Sequence, residues 1–183
     1  MRTSGSLLAG AVALVTLLAA TPAEAQHPQT RQGFWAGVGM GWGSFGLDCD
    51  GCGSIDRTGS YSGYLKLGGT LRQDILIGAE LNGWTKSEDG ATVNLGNASA
   101  AAYWYPAAQS GLYLKGGVGY SRLSAEASNL EASDNGFGFL MGVGYDLRVG
   151  ANTSLSPVVN YFRGGFDGGS ADVMQLGLGV TFH

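Results

Sequence analysis

The chain has 183 residues with 14 acidic and 10 basic side chains, and its net charge of −4 disfavours nucleic acid as a partner. Glycine contributes 33 residues, but only four prolines and 13% charged residues accompany it, so neither a collagen-like nor a disordered chain is indicated. Beyond the N-terminal region no run of eighteen apolar residues occurs, which excludes a membrane-spanning helix.

The N-terminus has the pattern of a secretory signal peptide. A charged residue, Arg2, precedes an apolar run over residues 7–20, and Ala23 and Ala25 form an A-x-A cleavage site. We predict cleavage after Ala25, which leaves residues 26–183 as one domain; an uncleaved N-terminal anchor is the less favoured alternative. Removal of Arg2 and Glu24 leaves 9 basic (10 − 1) and 13 acidic (14 − 1) side chains.

The rest of the chain alternates between apolar and small or polar residues with a period of two, which is typical of β-strands. The last segment shows this most clearly, because Met174, Leu176, Leu178, Val180 and Phe182 share one face and glycine or polar residues the other. In chain order the predicted strands are residues 33–43, 59–71, 75–84, 92–105, 111–122, 136–148, 153–163 and 173–183.

The connections between these strands alternate between long and short, with long ones at residues 44–58, 85–91, 124–135 and 164–170. Short turns at one end and long loops at the other are the pattern of outer-membrane barrels. A soluble lipocalin-like or sandwich barrel also alternates, but here the non-apolar face is mostly glycine, serine and alanine. That face suits a narrow interior better than a solvated exterior. We therefore predict an all-β fold, an eight-stranded antiparallel up-and-down transmembrane β-barrel.

Aromatic residues on the outward face fall into two groups, as expected for girdles at the two membrane interfaces. The fourth strand is the least regular, because Asn97 and Ser99 share the face that is assigned outward. Pro157 lies on the outward face of the seventh strand and is interpreted as a bulge or a late strand start. The predicted girdles consist of Phe34, Tyr103, Tyr105, Tyr145 and Phe182 at one rim, and of Trp42, Tyr61, Tyr120, Phe137 and Tyr161 at the other.

Five charged residues are assigned to the interior: Lys66, Glu80, Lys115, Asp146 and Arg148. Lys66 and Glu80 are each seven residues from Gln73, the centre of a tight turn, so they should lie opposite each other. Since buried charge persists only when paired, we predict interior ion pairs, structural or gating. Trp35, Tyr64, Trp84, Trp104 and Tyr113 complete the predicted plug. A closed interior is favoured over a gated pore because eight strands leave little room.

The first long loop contains Cys49 and Cys52, and in an oxidising exported setting a small loop disulfide is favoured over a redox or zinc site. Ten of the 13 acids of the mature chain lie on the long-loop side. We favour simple solvation for them over a divalent-cation or cationic-partner surface. These acids are Asp48, Asp50, Asp56, Glu88, Asp89, Glu126, Glu131, Asp134, Asp167 and Asp172.

The sequence predicts no catalytic residue, no metal site and no cofactor. The histidines are His27 in the leader and His183 at the terminus, so no Ser-His-acid set can be assembled from strand positions. The spacing Gly37-x-Gly39-x-Gly41 follows the strand period and not a phosphate-binding loop. An enzyme is therefore not expected.

The C-terminal segment resembles the assembly signal of bacterial outer-membrane barrels through Gln175, Gly177, Val180 and Phe182, although the family usually ends on the aromatic residue and not on a residue such as His183. Residues 112–121 (LYLKGGVGYS) are similar to the glycine-rich strand of the small OmpA/OmpX-like outer-membrane barrels. The resemblance implies a Gram-negative outer membrane location, contact with outer-membrane lipid and lipopolysaccharide, and recognition of the last strand by the barrel-assembly machinery.

For function, the resemblance implies roles that range from envelope integrity to adhesion or weak small-solute passage. The first hypothesis is a structural or surface-interaction barrel with a mostly closed interior. The second is a porin-like or lateral-gate transporter of small or hydrophobic solutes. The sequence names no surface partner.

Overall fold

The computed structural model describes residues 29–49, 51, 56–127 and 130–183. The predicted signal peptide with Ala23 and Ala25 lies outside the described residues. Within them there is no helix long and apolar enough to cross a membrane. The strands are β1 (Phe34–Cys49), β2 (Thr58–Arg72), β3 (Ile75–Glu88), β4 (Ala91–Trp104), β5 (Leu112–Ala127), β6 (Leu130–Tyr145), β7 (Leu147–Arg148), β8 (Thr153–Phe166) and β9 (Gly169–Phe182).

The eight long strands form a closed antiparallel barrel, as predicted. Each pairs with its neighbour in the chain, except that β6 pairs with β8, because β7 has only two residues. The ring closes where β1 pairs with β9, from Ala36↔Phe182 to Cys49↔Gly169. We call the end at which β1 begins and β9 ends the lower end, and the opposite end the upper end.

The stagger of the strands can be read from the register. Following paired residues once around the ring leads from Trp35 back to β1 at Phe45, a displacement of ten residues (45 − 35). The path is Trp35, Gly68, Gly78, Ala101, Gly117, Leu140, Phe162, Val173, Phe45. A stagger of ten over eight strands corresponds to a strand tilt of about 40°, within the range of membrane barrels.

The apolar face of the strands points away from the barrel axis, as predicted. Leu178, Ile77 and Val143 are exposed on the outer wall, whereas Gly177 faces the interior and is buried. The space around the glycines also differs between the two faces. A Cβ added at Gly39, which faces the interior, would collide with the Tyr64 ring, whereas a Cβ added at Gly83, on the outer wall, would meet no atom. Glycine in the lumen therefore makes room for large inward side chains.

The predicted faces of the fourth strand are wrong. Leu95, Tyr103 and Tyr105 are only 1% exposed, and Trp104, assigned to the interior plug, is 51% exposed. The register with β3 pairs Ser99 with the inward Glu80, which places every second residue of β4, including Asn97, inside. The outward face from Gly96 to Ala102 is then glycine and alanine, which place no polar side chain in lipid. Trp104 therefore replaces Tyr103 and Tyr105 in the lower group of outward aromatic residues.

The predicted long loops at residues 85–91, 124–135 and 164–170 are also wrong, because strands fill most of them. Only residues 89–90, 128–129 and 167–168 separate the strands there. At Asp89 and Gly90 φ is 51° and 78°, as in a type I′ turn, whose twist matches that of the paired strands. The long strands have 14 to 16 residues, whereas about 9–11 suffice to cross a membrane. They therefore continue beyond the membrane at the upper end.

Pro157 interrupts the ladder between β6 and β8 without a bulge. The last pair of β6 is Gly144↔Val158 and the first pair of β7 is Leu147↔Leu155. The two residue numbers of each pair add up to 302, so no residue is inserted in either strand and the register is continuous. Pro157 lies opposite Tyr145 in that register and has no N–H to donate. The break between β6 and β7 thus falls where proline removes a bond, which corrects the predicted bulge or late start.

A charge on the outer wall tests the orientation of the faces. Leu178→Arg places a cation near the middle of the lipid-facing side of β9 and should lower the free energy of unfolding by about 2–4 kcal/mol. The control Glu131→Arg, on the exposed upper part of β6, should leave it nearly unchanged. Urea unfolding in phospholipid vesicles measures both, and equal effects would contradict the assignment.

Candidate functional site

A buried ion pair lies at the centre of the lumen. Lys115 on β5 donates to Glu80 on β3 at 2.5 Å, and both side chains are 0% exposed. The Tyr103 hydroxyl on β4 donates to the other oxygen of the same carboxylate. Glu80 is thus held by groups from β4 and β5, the two strands that follow β3. The sequence did not predict the contribution of Tyr103, because its side chain was assigned to the lipid-facing wall.

Lys66 pairs with Glu80 in the register of β2 and β3, as the counting around the turn predicts. Its ammonium lies 5.1 Å from the ring centre of Tyr113 and 5.5 Å from that of Tyr103. The salt bridge of Glu80 goes to Lys115 and not to Lys66. Aromatic faces therefore surround the second lysine, where the negative ring faces attract a cation.

A second buried carboxylate, Asp146, lies below this pair, where β6 ends. It accepts hydrogen bonds from Tyr105 at 2.8 Å and from Ser156 at 2.6 Å. The His183 Nε2 atom is 3.4 Å from the same carboxylate. The alternation of β9 predicts that His183 faces inward, because the odd-numbered residues of this strand, such as Gln175, face inward. The sequence did not predict the inward position of Tyr105, because the wrong face of β4 was assigned to the interior.

Aromatic and apolar side chains fill the remaining interior. Trp35, Tyr64, Trp84 and Tyr113 of the predicted plug are buried, whereas Trp104 lies outside. Trp84 stacks on Phe45 with ring centres 4.6 Å apart and donates from its indole nitrogen to Gly43 O. An apolar layer thus occupies the upper part of the lumen, above the polar part. Its buried members are Phe45, Trp84, Leu95, Leu140, Phe162 and Val173.

The lower mouth is crossed by the segment that precedes β1. Arg31 is buried, lies 3.5 Å over the Tyr105 ring, and donates to Ser110 O at 2.7 Å. Gln29 donates to Asp146 O at 3.0 Å. Arg148, in β7 at the rim, is partly buried and donates to Thr30 O. Residues 29–31 and Arg148 therefore cover the lower end of the lumen.

The predicted assembly signal lies on the closing strand. Gln175 is buried and accepts a hydrogen bond from Asn160 at 2.7 Å, and Gly177 faces the lumen beside it. Val180 and Phe182 face outward. The His183 side chain turns inward, and the backbone N–H of this residue donates to Asn152 O. Phe182 is therefore the last outward side chain of β9, the place that the terminal aromatic residue usually takes.

Charged residues at the upper end pair with one another. Arg57 contacts Asp172 at 2.8 Å, Arg163 contacts Asp48 at 3.5 Å, and Lys86 contacts Glu88. Among the described residues no group of three or more histidine, cysteine or acidic side chains could hold a metal ion. Cys49 ends β1 and is disulfide-bonded, while Cys52 and Asp50 lie outside the described residues.

The upper parts of β3, β4, β5 and β6 form what we call the raised sheet (residues 85–94, 122–127 and 130–136). β2 pairs with β3 only as far as Trp84, and β6 pairs with β8 only from Phe137 onward. Within the described residues, the upper ends of β3 and β6 thus pair on one side only. Outward residues of the sheet such as Arg122, Ser133 and Asn135 are polar and exposed, which places the sheet in water.

The outer wall has a shallow depression of about 860 Å³ across β2 to β5. Small residues such as Gly69, Ala100 and Gly116 line it. The strand pairing is continuous beneath it, from Gly68↔Gly78 to Ala101↔Gly117. The depression is therefore a dent in the wall and has no opening into the lumen.

Loss of the central carboxylate should destabilise the barrel strongly. Glu80→Gln leaves the buried Lys115 without its counter-charge and should lower the free energy of unfolding by about 3–5 kcal/mol. Glu88→Gln, on the same strand, removes an exposed pair and should leave stability unchanged within error. Urea titration followed by tryptophan fluorescence measures both. Similar values for the two variants would contradict a buried pair.

Two glycines on opposite faces give a steric test of the packed lumen. Gly39→Val forces the Tyr64 ring to move and should destabilise by about 1–3 kcal/mol. Gly83→Val points outward into open space and should be neutral or slightly stabilising, since β-branched residues favour strands. The unfolding midpoint in vesicles is the measurement. A neutral Gly39→Val variant would show an unfilled interior.

The fold is shared with known outer-membrane proteins, each under 20% identical to this chain. Ail from Yersinia pestis has 14% identity and a TM-score of 0.57, over 82% of this chain and 99% of Ail. Neisserial surface protein A has 18% identity and a TM-score of 0.59, over 81% and 96%. The N-terminal barrel of OprF from Pseudomonas aeruginosa has 15% identity and a TM-score of 0.54, over 84% and 98%.

Among curated proteins, none matches this chain significantly in sequence. The family model of the outer membrane protein beta-barrel domain matches residues 11–182, nearly the whole chain. The closed eight-stranded barrel with its apolar outer wall agrees with that match. The chain therefore belongs to the outer membrane protein beta-barrel domain family, which indicates the outer membrane of a Gram-negative bacterium as its location.

Proposed function

We propose that this protein is a structural and surface-interaction barrel with a closed interior, and that its raised sheet is the interaction surface. The observation that carries the proposal is the upper part of β6, whose residues 130–136 pair with β5 on one side only. A strand with an unpaired edge can add an extended segment of another protein through main-chain hydrogen bonds. The upper end then faces the cell exterior.

The charge of the raised sheet favours a cationic segment as the partner. The β5–β6 hairpin carries Glu126, Glu131 and Asp134 against the single cation Arg122. The crystallised Ail complex contains a heparin analogue, sucrose octasulfate, which is a polyanion. The acid excess here disfavours such a ligand and favours lysine- or arginine-rich extended segments.

The filled lumen supports a closed interior. The ion pair of Glu80 and Lys115 lies between the apolar layer above and Arg31 below. Water and ions would have to displace several packed side chains in order to pass. We therefore favour an envelope or interaction role over porin-like passage, and propose no catalytic role.

We propose two further partners, which membership of the family supports. The outward apolar wall suits outer-membrane lipid and, in the outer leaflet, lipopolysaccharide. The outward Val180 and Phe182 suit recognition of β9 by the barrel-assembly machinery. Substitution of Phe182 by alanine would separate this role from folding, because the side chain makes no interior contact.

Conductance distinguishes the closed barrel from a transporter. The parent should show no steady channel in planar bilayers, since the lumen is filled at two levels. Glu80→Gln weakens the central pair and should at most add brief, rare openings. Single-channel recording of both proteins is the measurement. A steady open channel in the parent would contradict the closed interior and favour solute passage.

A shortened hairpin tests the surface role. Deletion of residues 124–133 removes the upper β5–β6 hairpin, makes Leu123 and Asp134 a two-residue turn, and keeps the pairing from Arg122↔Asn135 downward. The variant should still migrate as a folded barrel in unboiled gels, yet lose binding of lysine-rich extended peptides in fluorescence anisotropy at low salt. Parent protein in nanodiscs serves as the reference. Equal peptide binding by both, or none by the parent, would contradict the proposal.

A further inference from the structure

The lower mouth contains more buried cationic donors than acceptors. Arg31 uses its Nη1 atom on Ala108 O at 2.9 Å and its Nη2 atom on Ser110 O and Gln29 Oε1. Its Nε atom is buried and has no hydrogen-bond partner. The guanidinium is therefore held firmly in place while its Nε–H remains unused.

Arg148 has two such unused donors. Its Nη2 atom donates to Thr30 O at 2.9 Å, next in the chain to Arg31. Its Nε and Nη1 atoms are buried without a partner. Arg148 lies in β7, outside the long strands that cross the membrane, and burial lowers its pKa, with a further lowering by the positive charge of Arg31. The two guanidinium groups are thus close enough to repel each other.

His183 borders the same region. Its Nε2 atom lies 3.4 Å from Asp146 Oδ2, and its Nδ1 atom is buried without a hydrogen-bond partner. Burial lowers the pKa of His183, the contact with Asp146 raises it, and the charges of Arg148 and Arg31 lower it, so that the net direction is downward. His183 is thus directed at Asp146, whereas Arg31 and Arg148, from distant parts of the chain, both keep buried N–H groups without an acceptor at the lower mouth.

The nearest carboxylate does not satisfy these donors. Asp146 Oδ1 accepts from Ser156 and Oδ2 from Tyr105. Among the described residues no salt bridge joins Arg31 or Arg148 to an acidic side chain. The centre of the lumen differs, because there Glu80 binds Lys115 directly. An external anion would supply the missing acceptors, since buried charges and donors are normally paired.

We propose that the lower mouth binds an oxyanion of the phosphate class between Arg31 and Arg148. Guanidinium groups match the oxygens of a phosphate in geometry and charge, better than they match a halide. The anion is either the headgroup phosphate of a phospholipid in the adjacent leaflet or a free phosphate. The proposal does not rest on the surface role of the raised sheet.

The test uses the refolded protein in micelles of a non-ionic, phosphate-free detergent. The probes are inorganic phosphate and the short-chain lipid dihexanoyl phosphatidylglycerol. The readout is the temperature at which the folded band disappears in unboiled gels, measured against probe concentration. The proteins compared are the parent, Arg31→Gln, Arg148→Gln and Arg148→Lys. The matched control is Arg122→Gln, an exposed arginine at the upper end.

At least one probe should raise the midpoint of the parent and of Arg122→Gln. Arg148→Gln and Arg31→Gln should need at least tenfold more probe for the same shift, and Arg148→Lys should lie between. If Arg31→Gln does not fold, the partly exposed Arg148 carries the comparison. A response to inorganic phosphate identifies a free anion, and a response to the lipid alone identifies a headgroup. No response of the parent to either probe, or an unchanged response of Arg148→Gln, would overturn the site.

Discussion

The narrow lumen is the constraint on which the rest of the structure depends. Eight strands with a stagger of ten residues fix the radius of the barrel, and that radius leaves an interior just wide enough for side chains. Each large inward side chain therefore needs small residues opposite. Tyr64 lies against Gly39 and Gly179, and Tyr113 lies against Gly144. The glycines of the inner face are thus a consequence of packing inside a closed ring.

The same lumen decides how the interior charges are arranged. In so confined a space a charge must be paired, so Glu80 binds Lys115 and Tyr103 while Asp146 binds Tyr105 and Ser156. A buried pair adds little net stability compared with apolar packing, but a wrong arrangement is strongly penalised. A slip of one residue in the register of β3 would move the Glu80 side chain from the lumen to the lipid-facing wall. The charges therefore favour one register.

The strands serve two environments along their length. Where apolar residues such as Leu178 face outward the strands cross lipid, and where Arg122 and Ser133 face outward they stand in water. The upper lumen keeps an apolar layer around Phe45 and Trp84, which supports the strands above the polar centre. A rigid, packed barrel can thus hold a raised sheet with unpaired edges in a fixed position, which is what the proposed surface role needs. At the lower mouth a charged side chain, Arg31, covers the lumen, in contrast to the apolar layer at the upper end.

The sequence alone determined the features that depend on alternation within a strand and on local turns. Period two predicted the apolar outer wall and the glycine-rich lumen, and the tight turn at Gln73 predicted that Lys66 and Glu80 are opposite. Only the tertiary structure decided which lysine Glu80 binds, which face of β4 is inward, and that strands continue where loops were predicted. Those outcomes depend on the register between neighbouring strands and on contacts across the lumen, which the alternation within a single strand does not contain. The position of Arg31 was decided there too, because its contacts lie 77 and 79 residues away in the chain, beyond the reach of any local pattern.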